Sequence, residues 1–198
     1  MFLLTYKYRP EDIECRYCTQ FCICKHQNLT CPWLQERLDA GVVSYAELML
    51  SLLDTPSCHL DCRRMAELLA SFPGNMWCNQ DHQNNYHWLE SNVPLGRADT
   101  NRQLAAAYLL STTPRLVRFV KACYITSPRN HLPDVLAASL SAPEITLLMA
   151  VTALLSQAKP SSLDDLLSDN HADLFSTRCI AHALLIAKHG SSVLSITE

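Results

Sequence analysis

Five cysteines and one histidine fall within residues 15–31, in a chain of 198 residues that holds ten cysteines altogether. The segment reads CRYCTQFCICKHQNLTC, and its apolar residues follow neither a helical nor a strand period. A stretch of this kind buries too little apolar surface to offset the entropy lost on ordering. Clustered thiols in a reducing compartment are typical metal ligands, so we predict that a bound ion organises this segment.

The predicted ion is Zn²⁺, which takes four nitrogen or sulfur ligands in a tetrahedron. Cys15 and Cys18 form a C-x2-C pair, which supplies two of these ligands from one tight turn. Cys31 stands directly before Pro32, where we expect a helix to begin. The positive end of that helix would favour a thiolate at Cys31.

The fourth ligand is assigned to Cys24, because six residues then remain for the chain to return to Cys31. Cys22 and His26 stay open as alternatives for this position. Four thiolates could also hold an iron–sulfur cluster. With every coordination position filled by protein, the site would stabilise the fold and leave no place for a substrate.

A second group of metal-binding residue types is spread over two predicted helices. Cys58 and Cys62 are four positions apart, and Cys78 and His82 repeat that spacing. If the two helices lay side by side, these four side chains could hold another metal ion. We favour a simpler interpretation, in which the cysteines are buried between helices and the histidine lies at the surface.

The remaining cysteines and histidines predict no catalytic site. We assign Cys123 and Cys179 to the core. His182 and His189 are seven positions apart on one predicted helix, and we expect that face to be in contact with solvent. Phosphate-binding loops, dinucleotide fingerprints and nucleophile elbows are absent from the sequence, so we expect a protein that is not an enzyme.

Most of the chain after residue 31 predicts helices. Ser44–Glu47 and Ser141–Glu144 match the capping-box pattern, and Gly190 is suited to a helix end. Seven predicted helices cover 32–41, 60–72, 79–91, 100–110, 113–124, 141–156 and 172–189, and two more begin at Ser44 and Ser161. The helix at 141–156 is almost wholly apolar, and we predict that it is the central helix, buried on all sides. We predict a mostly α fold, with a zinc-stabilised Cys-rich module at 1–43 and a helical bundle at 44–198 that has a sub-boundary near 93–99.

Positive charge is concentrated in residues 97–131, which carry six basic side chains against one acidic one, a local charge of +5. Arg115, Arg118 and Lys121 are spaced as a ridge along one helix face. With Arg102 and Arg129 they are our candidates for contact with a nucleic acid or a protein partner. We favour a solvated face that pairs with acids of the same chain, namely Asp134, Asp164, Asp165 or Asp169.

Overall charge and hydropathy bound the location and the partners. The formal net charge is −3, which argues against a non-specific nucleic-acid binder. Only four apolar residues precede the first polar one, fewer than a secretory signal needs. The apolar run 145–155 is too short to span a bilayer. We therefore expect a soluble, cytoplasmic protein that does not enter a membrane.

Several pieces of the first half of the chain resemble a family of small Cys-rich proteins. The residues concerned are YRPEDI at 8–13, the C-x2-C pair and CPWL at 31–34, with a second patch at 74–77 and 88–89. The family consists of mostly uncharacterised proteins carried on bacterial plasmids, phages and conjugative elements, and some proteins of such elements inhibit host-defence nucleases, anti-CRISPR proteins among them. The resemblance implies a non-enzymatic, zinc-binding interaction protein that modulates a nucleic-acid-processing or host-defence protein. The alternative is a zinc-dependent DNA- or RNA-binding regulator that uses residues 97–131.

Overall fold

The computed structural model describes residue 31 and residues 33–53, 62–93, 99–126, 140–156 and 173–197, with only the backbone given for Cys62 and residues 123–126. This part of the chain is mostly helical and contains no strand, in agreement with the predicted all-α class. Its helices are α1 (Leu34–Asp39), α2 (Tyr45–Leu53), α3 (Cys62–Ala70), α4 (Gln80–Asn92), α5 (Thr100–Ser111), α6 (Pro114–Thr126), α7 (Ala142–Leu155), α8 (Leu174–His189) and a 3-10 helix (Ser191–Ser195). The helix predicted from residue 161 lies outside the described residues.

Local capping signals placed the helix ends within a few residues. At the start of α2, the backbone N–H of Ser44 donates to Glu47, and the backbone N–H of Glu47 donates to the Ser44 hydroxyl. The Glu47 carboxylate also accepts a hydrogen bond of 2.8 Å from Arg37, which joins α1 to α2. Asn79 caps α4 in the same manner, because its side chain accepts from the backbone N–H of His82.

Helices α5 and α8 form the centre of the core. Every residue of α5 from Ala105 to Ser111 is buried, and α8 is buried over most of its length. Three consecutive alanines at 105–107 allow neighbouring helices to approach α5 closely. α5 packs against α4, α6, α7 and α8, and α8 also contacts α2 and α3.

The prediction that α7 is the all-round buried helix is wrong. One side of α7 packs inward through Leu147, Ala150, Val151 and Leu154. The opposite side leaves Ile145 and Met149 exposed. The uniformly apolar sequence concealed this asymmetry, because hydrophobicity gives no direction when every face of a helix is apolar.

Helix α1 and the residues that follow it pack into the same core as α5 and α8. Leu34, Leu38 and Val43 belong to the buried cluster that includes α5 and α8. The part of the predicted 1–43 module that the structure describes thus shares the core of the helical bundle, and the rest of that module lies outside the described residues. None of the described helices has the length and apolar character needed to cross a membrane.

Glu144 connects the start of α7 to the turn between α5 and α6. Its carboxylate accepts 2.8 Å hydrogen bonds from the backbone N–H and the hydroxyl of Ser141, and a 3.1 Å bond from the Thr113 hydroxyl. Arg115 lies 3.9 Å away. Burial acts to raise the pKa of Glu144, but the hydrogen bonds from Ser141 and Thr113 and the charge of Arg115 outweigh it and hold the pKa below its ordinary value.

Replacing Glu144 by Gln is expected to reduce the free energy of unfolding at neutral pH by about 1–3 kcal/mol. The amide nitrogen of glutamine would face N–H and O–H groups that now donate hydrogen bonds to the carboxylate. A folded-state pKa below the ordinary value of 4.5 stabilises the fold above that pH, and this contribution is lost as the pH falls through the folded-state pKa. The difference between wild type and Glu144→Gln should therefore shrink in acid. Urea unfolding at several pH values measures this difference in the free energy of unfolding, and Glu90→Gln, at an exposed position, is the control. Equal losses of unfolding free energy in the two variants would contradict the role given to Glu144.

Candidate functional site

Of the five cysteines and one histidine that are candidate zinc ligands in residues 15–31, Cys31 alone lies among the described residues. Its thiol is half-buried and packs against the core, and its carbonyl accepts a 3.1 Å hydrogen bond from the backbone N–H of Leu34. Cys31 thus stands just ahead of α1, as the sequence predicted. The other candidates (Cys15, Cys18, Cys22, Cys24 and His26) lie outside the described residues. Within the described ranges, no three His, Cys, Asp or Glu side chains are grouped to hold a metal ion.

The second predicted group is only partly described. Cys58 and the side chain of Cys62 lie outside the described residues, so the four-ligand arrangement stays a prediction. His82 is 1% exposed, and the expectation of a surface histidine is wrong. Its Nδ1 accepts from the backbone N–H of Cys78 at 3.2 Å, and its Nε2–H donates to the carbonyl of Tyr108 at 2.9 Å. Both ring nitrogens are therefore engaged, which favours a structural role for His82.

A second histidine, His182, lies at the centre of a chain of hydrogen bonds. The Tyr108 hydroxyl donates to the carbonyl of Met76, so it accepts from Nδ1–H of His182 at 2.9 Å. The Nε2 of His182 then accepts from the Tyr45 hydroxyl at 3.0 Å. Burial, together with the charge of Arg178, lowers the pKa of His182 to about 3, and the ring is neutral at ordinary pH.

The face of α8 that carries its two histidines points into the protein, and the expectation of a solvent-exposed face is wrong. His182 is 2% exposed. His189 lies 3.0 Å from the Ser51 hydroxyl and 3.3 Å from the side chain of Gln35, and burial lowers its pKa to about 4. The two imidazole rings make hydrogen bonds to Tyr and Ser side chains that are distant in sequence, and these partners come together only in the folded chain.

Two cysteines that are 101 positions apart meet beside His82. The sulfur atoms of Cys78 and Cys179 are 3.9 Å apart. Cys179 is buried, as expected, whereas Cys78 is half-buried in the non-helical segment that precedes α4. The hydrogen bond from Cys179, with smaller effects of His82 and Arg178, lowers the pKa of Cys78 to about 5. The bond to Cys78 and burial raise the pKa of Cys179 well above its ordinary value.

This thiol–histidine–tyrosine cluster was not found in the sequence. The signal that could have indicated it is the position of polar aromatic residues on otherwise apolar helix faces. Tyr108 follows three alanines in α5, and His182 is flanked by alanines in α8. Such positions must find hydrogen-bond partners when the face is buried, although the sequence does not say which ones.

The basic residues of 97–131 that the structure describes make contacts within the chain. Arg102 pairs with Asp99 at 3.0 Å, and Arg115 with Glu144 at 3.9 Å. The ammonium group of Lys121 lies 4.2 Å from the ring centre of Trp88, and the guanidinium of Arg118 donates to the carbonyl of Pro114. Pairing with acids of the same chain was the favoured interpretation, but the acids we named (Asp134, Asp164, Asp165 and Asp169) and Arg129 lie outside the described residues.

An apolar stripe marks the outer side of α7. Ile145 and Met149 are 43% and 55% exposed and lie one helical turn apart. Ala142 and Thr152, also exposed, continue the same side in both directions. We call these four residues the α7 stripe. Large apolar side chains exposed together on one helix face are typical of a surface that meets another molecule.

Tyr108→Phe is expected to lower the free energy of unfolding by about 2–4 kcal/mol, because His182 Nδ1–H and the Met76 carbonyl each lose a buried partner. Tyr86→Phe is the matched control: the Tyr86 hydroxyl is buried and makes no hydrogen bond within the described part of the chain. This second change should leave stability within about 0.5 kcal/mol of wild type or raise it. Chemical denaturation of both variants measures the difference, and similar effects would refute the hydrogen-bond chain.

Comparison of the chain with protein-family models, with curated proteins and with solved structures finds no match.

Proposed function

We propose that this protein is a non-enzymatic binding protein that docks a partner protein on the α7 stripe. The observation that carries the proposal is the exposure of Ile145 and Met149 one turn apart on a helix whose other side is in the core. Burying the exposed half of each side chain against a partner would contribute roughly 1 kcal/mol per side chain, about half of what complete burial of such a side chain contributes. Methionine adapts to irregular surfaces and is enriched where proteins meet.

The surroundings of the α7 stripe suggest the chemistry of the partner. Arg115 pairs with Glu144, the residue next to Ile145, and its side chain is 62% exposed. A partner with an apolar centre and an acidic residue at its edge would match both features. In a buried interface, apolar contact supplies most of the affinity, and the charge at the edge affects mainly orientation and the rate of association.

The contacts of the basic residues support a protein partner over a nucleic acid. Phosphate binding requires several cations that are available together along the backbone of the nucleic acid. Arg102 is paired with Asp99, and Lys121 covers the ring of Trp88. These contacts would have to break before either residue could bind phosphate. Binding of DNA or RNA through residues 97–131 is therefore the alternative, and the binding experiment below distinguishes it from docking of a protein.

The non-enzymatic part of the proposal is supported by the state of the buried histidines. His82 and His182 have the residue type that most often transfers protons in catalysis. Both nitrogens of each ring are engaged with backbone or tyrosine groups of the same chain. In that arrangement these rings contribute to stability. The class of partner, a nucleic-acid-processing or host-defence protein of a bacterium or phage, rests on the family resemblance of the first half of the chain.

The double variant Ile145→Glu/Met149→Glu tests the stripe, because two carboxylates there cannot be buried against an apolar partner. We expect the wild-type chain to capture a host protein and this variant to fail to capture it. The matched control, Gln80→Glu/Asn84→Glu, adds the same charge at the same spacing on an exposed side of α4 and should retain the protein. Mass spectrometry of the captured material identifies it.

The captured protein is then purified, and its affinity for the three chains is measured by calorimetry. The α7 variant should bind at least about tenfold more weakly than wild type, and the control should bind as wild type. Equal affinity for all three chains would contradict docking on the α7 stripe. A duplex whose salt-dependent binding is weakened by Arg118→Ala, with no effect of the α7 variant, would favour the nucleic-acid alternative.

We also propose that Cys15, Cys18, Cys24 and Cys31 hold one structural Zn²⁺. The support is their spacing in the sequence and the position of the Cys31 thiol just ahead of α1. Such a site would tie residues 15–31 to a helix whose Leu34 and Leu38 are in the core.

Freshly reduced protein is expected to contain about one equivalent of zinc by elemental analysis, and Cys31→Ser should lower this content severalfold. Cys78→Ser is the matched control, since it removes another half-buried thiol that faces Cys179. Less than about 0.5 equivalents of zinc in the wild-type protein would contradict the site. Iron in place of zinc would favour the cluster alternative, and metal loss in Cys78→Ser would restore the second predicted site.

A further inference from the structure

The contact between Cys78 and Cys179 has features beyond those of two cysteines in a core. The two sulfur atoms are 3.9 Å apart, and they belong to elements that are distant in sequence, the segment 71–79 and helix α8. Cys78 is half-buried and Cys179 is 1% exposed. A small solute can therefore approach Cys78 first, with Cys179 directly behind it.

Positive and hydrogen-bonding groups surround the more exposed sulfur. Arg178 is adjacent to Cys179, and its guanidinium is fixed by a 2.9 Å hydrogen bond to the carbonyl of Ser71. The sulfur of Cys78 lies 3.9 Å from that of Cys179, and the backbone N–H of Cys78 donates to the ring of His82. A partly accessible cysteine with a second sulfur beside it is placed to react first with an oxidant and then to form a bond with its neighbour.

Closure of a disulfide bond at Cys78 requires the two sulfurs to approach each other. The sulfurs must approach from 3.9 Å to about 2.05 Å, a movement that a cysteine side chain can make by rotation when its partner already faces it. Cys78 lies between the end of α3 and the start of α4, and its own backbone N–H is bound by the His82 side chain. No helical hydrogen bond at Cys78 has to break.

We propose that Cys78 and Cys179 are a peroxide-responsive thiol pair, in which Cys78 is oxidised first and Cys179 then closes a disulfide bond. The Cys78 thiolate attacks one oxygen of the peroxide; an S–O bond forms, the O–O bond breaks, and the departing hydroxide or alkoxide takes up a proton. The Cys179 sulfur then attacks the sulfenic sulfur. An S–S bond forms, the S–O bond breaks, and the Cys179 proton leaves with the hydroxyl group as water. Two thiols thus lose two electrons, which reduce one peroxide.

The disulfide would join two elements that carry much of the buried network. Segment 71–79 contains Met76, whose carbonyl accepts from Tyr108, and α8 contains His182. Oxidation would thus fix the segment covalently to the helix that it already contacts. The pair needs neither the α7 stripe nor a metal ion, and so it goes beyond the function proposed above.

Peptide mapping of the full-length wild-type chain tests the pair. The reduced protein is treated with a small molar excess of hydrogen peroxide, free thiols are blocked, and trypsin is added without reductant. Tryptic peptides 65–97 and 179–188 contain one cysteine each, Cys78 and Cys179. We expect them to appear joined and about 2 Da lighter than their sum. Their linkage should be at least about tenfold more abundant than in protein oxidised in concentrated urea, where the contact is lost.

Two variants separate the order of the steps. In Cys179→Ser, the sulfenic acid on Cys78 has no resolving thiol, and dimedone should label peptide 65–97. In Cys78→Ser, the buried Cys179 should stay unlabelled. Two results of the wild-type mapping would overturn the proposal: both peptides keep free thiols while other cysteines oxidise, or the linkage is no more abundant than in urea. The absence of a dimedone adduct in Cys179→Ser would also overturn it. The wild-type mapping needs no substitution, so a variant that fails to fold leaves a decisive result.

Discussion

Tyr108 connects four parts of the bundle through its two oxygen atoms. Its backbone carbonyl accepts from His82 of α4, and its hydroxyl accepts from His182 of α8 and donates to Met76 of segment 71–79. Through His182 the chain of hydrogen bonds reaches Tyr45 of α2, whose ring stacks on Phe72 with the two ring centres 3.7 Å apart. An apolar core of this size would tolerate several helix registers, whereas buried polar groups accept only the register in which each finds its partner.

The helices could be predicted from the sequence because their ends depend on neighbouring residues. Ser44 with Glu47 and Ser141 with Glu144 are pairs three positions apart, and each acts within its own turn. The burial of α7 could not be predicted in the same way. Its sequence is apolar on all sides, and the side that faces the core depends on where α5 lies. The exposed side of α7 is the basis of the proposed function, so sequence and structure were both needed to find it.

The thiol and histidine residues also divide into those that a local sequence pattern could predict and those whose contacts depend on the tertiary fold. The cysteine spacing at 15–31 could be interpreted locally, because metal ligands recur in short motifs. Cys78 and Cys179 are separated by 101 positions, and Tyr45 and His182 by 137, and no local pattern connects them. The sequence placed His82 and His182 with solvent because an isolated histidine on a helix usually lies there. The tyrosine and carbonyl partners that make burial acceptable become visible only in the folded chain.

Gly190 is the point at which the chain turns back onto the core after α8. With φ at 78°, it reverses the chain after α8, and an added Cβ would lie 3.3 Å from the side chain of Asn101. The reversal lets Val193 and Ile196 enter the core and Thr197 pair with Asn75. These residues and α8 are made after the rest of the described chain. The sides of α2 and α5 that contact α8 consequently remain uncovered during synthesis until α8 has left the ribosome, and chaperones or incorrect contacts can compete for them in that interval.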